Sequence, residues 1–148
     1  MKFPVAIFVL MILFAAFPSE SGPPNLCQLL KHAQKMEATV TAYYAPHKNQ
    51  KKYLSGTYEE EIRMNGNGKL TSSGKIPEIG HIAADKNVFP FGTVIFVPGY
   101  GKGVVEDTGS KIKGVRLDIF MGHGAKGLER AVGWGIKKLE IYVLKLGD

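Results

Sequence analysis

A chain of 148 residues has the length of one modest domain. Hydrophobic residues are 45% and charged residues 22%, which excludes a disordered chain, a collagen-like fibre and a coiled coil. The net charge of +6 favours polyanionic surroundings, and the single cysteine excludes both a disulfide scaffold and a cysteine-based zinc site.

The chain opens with the pattern of a secretory signal peptide over residues 1–21. Lys2 supplies a positive start, Phe3 to Phe17 is uncharged and apolar, and Ser19 and Ser21 precede a cleavage position before Gly22. The apolar run is short for a membrane span, so an exported chain with no stable membrane insertion after cleavage is expected, with an uncleaved anchor as the rival reading. Residues 22–36 read as a Gly-Pro-Pro linker and a short helix over Leu26 to Lys35. Cys27 lies beside this region and is expected to be a buried or inert thiol. An exported basic protein meets anionic wall polymers or membrane surfaces more readily than nucleic acid, so no nucleic-acid partner is expected.

From residue 37 the pattern changes. Glu37 to Ala45 alternates, with Ala38, Val40, Ala42 and Tyr44 on one side and Thr39, Thr41 and Tyr43 on the other. That predicts a half-buried strand. His47 to Gly74 is polar and irregular, and a loop of that length in a compact domain is usually functional or mobile. Its Lys48, Lys51, Lys52 and Glu59 to Glu61 clusters read as solvated surface.

Further strands are predicted at His81 to Ala84, Thr93 to Val97, Gly103 to Glu106, Val115 to Phe120 and Lys138 to Leu144. One helix is predicted at Ala125 to Val132, with Ala125, Leu128 and Val132 on its inner face. Short strands with Gly and Pro turns indicate a mainly β protein, a small barrel or sandwich. No phosphate loop, GxSxG elbow or HExxH is present, and no cofactor is expected. His32, His47, His81 and His123 show no metal-ligand spacing.

The aspartates are few: Asp85, Asp107, Asp118 and the terminal Asp148. Asp85 ends HIAAD, Asp107 opens Asp-Thr-Gly, and Asp118 lies mid-strand facing away from Val115, Leu117 and Ile119. Carboxylates tuned by burial and neighbours serve as general acids or bases. The plainer reading makes Asp85 and Asp107 turn caps and leaves Asp118 facing solvent beside Arg116.

At these residues the chain resembles the three-aspartate (3D) domain family, and is similar to the C-terminal part of the membrane-bound lytic transglycosylase A family. The matching text includes TSSGKIPEIGHIAAD, FPFGT and VPGYGKGVVEDTGSKIKGVRLDIF, then Trp134-Gly135 and EIYVL, with TAYY at Thr41 to Tyr44 as a first strand. It covers about 105 of 148 residues, with the three aspartates spaced by 22 and 11 positions. The resemblance implies a six-stranded double-psi β-barrel with one or two short helices over residues 37–148. It implies a peptidoglycan lytic transglycosylase that cleaves the β-1,4 bond from N-acetylmuramic acid to N-acetylglucosamine without water, giving 1,6-anhydro ends. Asp118 would be the acid/base, supported by Asp107 and Asp85. Thr71, Lys113, Arg116 and Tyr44 would contact the glycan or its peptide. Departures are Ser110-Lys111, where many relatives carry Gly-Ala, and the insertion His47 to Gly68, expected to form part of a groove wall. Two other readings stay open: a non-catalytic wall-binding module, since fold does not fix function, and a divalent cation held by the aspartate trio.

Overall fold

A computed structural model describes residues 25–148. The signal-peptide expectation for residues 1–21 lies outside them, as does most of the Gly-Pro-Pro linker. The elements in order are α1 (Leu26–His32), β1 (Gln34–Ala45), α2 (Tyr58–Asn65), β2 (His81–Ala84), β3 (Val94–Val97), β4 (Gly101–Asp107), β5 (Arg116–His123), α3 (Gly124–Trp134) and β6 (Lys137–Lys145). The six strands close into a barrel in the order β1-β5-β2-β4-β3-β6. Two pairings, β1 with β5 and β2 with β4, are parallel, and the other four are antiparallel. This is the expected mainly β, closed six-stranded architecture, with three short helices rather than one or two. Among the described residues, no helix is long and apolar enough to cross a membrane.

The alternation read from β1 holds. Ala38, Val40 and Tyr44 join the barrel core, while Tyr43 packs with Ala45, Ala83 and Phe120 in a second cluster. The core centres on Val40, Ile82, Ile95, Val105, Leu117, Ile119 and Ile141, all fully buried. β1 begins at Gln34, three residues before the predicted start, because Gln34 to Glu37 pair with Val143 to Glu140 of β6. That pairing ends α1 at His32. Cys27 sits on α1 and is exposed, not buried.

The helix missed in the polar loop is α2. Thr57 and Glu60 form a capping box: each side chain accepts from the other's backbone N–H. Glu59, Glu60 and Glu61 occupy the first turn, where the helix dipole favours negative charge. Gly66 ends the helix with φ +75°, its N–H donating to Ile62 O at 2.9 Å. Glu61 corrects the surface reading of this cluster, because its side chain is completely buried. It accepts from Tyr44 Oη at 2.7 Å and from Ser55 N at 2.8 Å, and this fastens the segment to β1.

α3 packs on β1 and β5. Its inner face is Gly127, Leu128, Ala131 and Trp134, whereas Ala125 and Val132 are exposed. The face is rotated from the predicted one because Gly127 marks the closest approach. A Cβ there would lie 2.5 Å from Gly122 O and 3.1 Å from Tyr44 Cβ. Trp134 Nε1 donates to Val40 O at 3.2 Å and pins the end of the helix to β1.

Candidate functional site

Strand register assembles the site. Asp118 of β5 pairs with Thr41 of β1 on one side and with Ala83 of β2 on the other. Ala83 also pairs with Asp107 of β4. Asp107, Ala83, Asp118 and Thr41 therefore form a row across four adjacent strands. The two aspartate Cα atoms are two strand spacings apart, about 10 Å. Their separator is only a methyl group, so both carboxylates open into the same space.

Asp107 reaches this row through a β-bulge. Ile82 pairs with Val105, the next residue Ala83 pairs with Asp107, and Glu106 is the extra residue. Simple alternation would put Asp107 on the core side with Val105. The bulge re-aims it outward, a recurrent use of bulges beside functional sites. Glu106, nearly fully buried, accepts from Ser73 Oγ at 2.6 Å and pairs with the Lys75 ammonium. Successive residues of β4 thus grip the 71–75 loop, Glu106 through Ser73 and Lys75, and Asp107 through Ser72.

Four groups donate to Asp107. Tyr43 Oη reaches Oδ2 at 3.1 Å. Ser72 N, Ser72 Oγ and Thr108 N reach Oδ1 at 2.9, 2.7 and 2.8 Å. Asp118 differs: Thr41 Oγ1 donates to Oδ1 at 2.8 Å, and among the described residues Oδ2 has no partner. Burial raises the Asp118 acid from 3.8 to about 6, against smaller opposing effects of the Thr41 hydrogen bond and the Arg116 charge. Asp107 adds to the rise, but as the smallest contribution. Burial is therefore the principal cause, rather than repulsion from neighbouring carboxylates. The Tyr43 hydroxyl is pushed up by burial and by Asp107, which keeps it a donor.

A groove crosses the barrel surface here, between α2 with the segment after it and the Thr108–Ile112 turn. Asp118 lies where two compartments meet. One, of about 620 Å³, is lined by Tyr43, Thr71, Ser72, Ala83 and Asp107. The other, of about 400 Å³, is lined by Thr41, Leu54, Glu61, Lys111 and Arg116. Arg63, Met64 and Asn65 of α2 border both, so the 47–68 segment does form a groove wall.

The other candidates divide. Asp85 does not line either compartment. It sits across the Thr108–Ser110 turn in a smaller hollow with Lys113. There it accepts from Gly114 N at 2.9 Å and Asn87 N at 3.1 Å, the turn-capping role. These bonds, with the Lys113 charge, hold its carboxyl below the usual range. Thr71 lines the groove, but it is buried and its hydroxyl accepts from Lys75 N at 3.1 Å, shaping the lip. Arg116 borders the second compartment, whereas Lys113 lies on the Asp85 side. Tyr44 cannot stack on a sugar: it is 1% exposed in the core and its hydroxyl is committed to Glu61. Alternation along β1 already put Tyr44 on the core side.

Sequence reading missed Thr41 as the Asp118 partner, Tyr43 and Ser72 as Asp107 partners, and the α2 wall. The Thr-x-x-Glu spacing at Thr57 to Glu60 was the available signal for α2. Among the described residues, no group of three His, Cys, Asp or Glu side chains is placed to hold a metal ion, which corrects the divalent-cation reading of the trio.

Residues 80–145 match the family model of the 3D domain. The chain is 32% identical over 112 residues to the cell wall-binding protein YocH of Bacillus subtilis, covering 76% of this chain and 33% of YocH. It is 40% identical over 68 residues to YabE of the same organism, covering 46% of this chain and 16% of YabE. The chain thus spans a third or less of these relatives. Among solved structures it is similar to MltA from Escherichia coli, with 26% identity, a TM-score of 0.45, and coverage of 54% of this chain and 28% of that one. A second MltA structure, with bound chitohexaose, gives the same identity and TM-score over 53% and 28%.

Proposed function

We propose that this chain is an exported protein of the cell wall and that its groove cleaves peptidoglycan glycan strands as a lytic transglycosylase. The observation that carries the reading is Asp118: one raised carboxyl, held by Thr41 on one oxygen, at the junction of two groove compartments. An acid near 6 is protonated often enough to donate and is still a competent base after donation.

The steps balance on that one group. Protonated Asp118 donates through its free oxygen to the glycosidic oxygen, and the bond from C1 to that oxygen breaks. Positive charge develops at C1 in an oxocarbenium-like state. The Asp118 carboxylate then takes the proton of the C6 hydroxyl, and O6 bonds to C1. Water is not consumed, and Asp118 ends protonated as it began. Thr41 fixes the carboxyl orientation. Asp107, with donors on both oxygens, braces the Ser72 lip and the Thr108 turn rather than exchanging a proton. Asp85 braces the far side of the same turn through Gly114.

A second reading, a non-catalytic wall-binding module, is supported by the similarity to the cell wall-binding protein YocH. Mass spectrometry of peptidoglycan digested by the protein, beside Asp118→Asn, separates the two. Products lighter by one water than hydrolytic ones, absent with the variant, support the transglycosylase. Reducing-end products indicate hydrolysis. No products, with both proteins retained on sedimented wall, indicate the binding module.

A further inference from the structure

The two compartments beside Asp118 differ in charge. The Arg116 side is bordered by Arg63, Lys111 and Arg116, and its acids are Glu61 and Asp118. The Glu61 carboxylate is occupied by Tyr44, Ser55 and Asn65. Among the described residues, none of the three cations is within ion-pairing distance of a carboxylate. Arg116 Nε is buried and has no hydrogen-bond partner among the described residues. An unpaired buried guanidinium nitrogen is costly, and a carboxylate is the group that satisfies a guanidinium fork best. The cations come from separate elements: α2, the turn after β4, and the start of β5. Their convergence is produced by the fold.

The Asp107 side contrasts. Its floor is Tyr43, Thr71, Ser72 and Ala83; Arg63 borders it too, but Lys111 and Arg116 do not, and it adds the Asp107 carboxyl. A strand lying across Asp118 therefore meets more positive charge on one side, where Lys111 and Arg116 add to the shared Arg63. Of the two sugars in the proposed substrate, only the muramyl residue carries a substituent with free carboxylates, its stem peptide.

We propose that the Arg63, Lys111 and Arg116 compartment is a subsite for the carboxylates of the stem peptide on the muramyl residue at the scissile bond. The subsite rests on the glycan-strand reading above. It orients the strand, placing the muramyl C1 on the Arg116 side of Asp118, and it makes stem-bearing strands the preferred ligand.

The test measures dissociation constants of fluorescently labelled glycan strands for the full chain in an Asp118→Asn background, which holds the strand uncleaved. Three probes are compared: stem-bearing strands, strands stripped by an amidase, and stem-bearing strands whose carboxylates are converted to amides. Stem-bearing strands are expected to bind about tenfold tighter than either of the others, the scale of one or two charge-assisted contacts. The ratio is expected to shrink with added salt. It is expected to collapse below about twofold in Arg63→Gln/Lys111→Gln, for the loss of the same contacts. The charge-conserving Arg63→Lys/Lys111→Arg pair is expected to restore it, which separates charge from misfolding. Equal affinity for all three probes overturns the subsite and leaves the glycan reading standing. Failure to bind any strand overturns both. Displacement of stem-bearing strands by a glycerol-phosphate polymer more effectively than by free stem peptide overturns the stem assignment in favour of a phosphate ligand.

Discussion

Replacing Asp118 with Asn is expected to abolish cleavage and at the same time stabilise the protein at neutral pH. Asn keeps the shape and the oxygen that accepts from Thr41, but it cannot ionise. The wild-type carboxyl rises from 3.8 to about 6 on folding. Between those values the folded chain binds a proton that the unfolded chain releases, so stability falls as pH rises through that window. The shift of about two units corresponds to about 3 kcal/mol, lost in full above pH ~7. Asn is exempt from that loss. Urea unfolding of both proteins is expected to show the variant more stable by up to about 3 kcal/mol at pH 8, shrinking below about 1 kcal/mol at pH 4. An advantage independent of pH, or a variant less stable at pH 8, would refute the assignment of a buried, disfavoured carboxylate. The trade is the one expected where an acid is held in its less comfortable charge state for chemistry.

Other outcomes follow from the same geometry. Turnover by the wild type is expected to fall by about tenfold per pH unit well above pH 6, as the donating form of Asp118 is depleted, and a pH–rate profile reads this directly. Glu61→Ala removes the acceptor shared by Tyr44, Ser55 and Asn65. It is expected to cost about 2–4 kcal/mol in chemical denaturation and to expose α2 to proteolysis. Gly127→Ala, despite the helix preference for Ala, is expected to lower stability by about 1–3 kcal/mol, because its methyl meets Gly122 O. Asp85→Ala is expected to speed hydrogen exchange at the Gly114 amide and to weaken turnover without removing it.

Strands were legible because their signal is local. HIAA and VIFV stand between turn residues, and the alternation of Thr41 and Tyr43 against Val40 and Tyr44 survives folding intact. The aspartates were legible as strand-borne acids, and Asp118 does face away from Leu117 and Ile119. What stayed hidden depends on pairs distant in sequence. Thr41 meets Asp118 across 77 positions, and nothing local marks that hydroxyl as its partner. The bulge at Glu106 is equally silent, since its cause is the register against β2. Burial of Glu61 was concealed by its charged neighbours, because composition alone describes Glu59 to Glu61 as solvent-loving. The inner face of α3 was misread because glycine carries no hydropathy, yet Gly127 is where that helix touches the barrel.

The pairing of β1 with both β5 and β6 has a consequence for how the chain is made. Within the barrel β1 waits for β5 and β6, because β2, β3 and β4 do not pair with it. Folding of this kind is dominated by contacts between distant positions and is slow for that reason. Until residues 137–145 arrive, Val40 and its neighbours have no closed interior to enter. A chain truncated before β6 is thereby left with two open edges, and the barrel behaves as a clasp whose final link is its own tail.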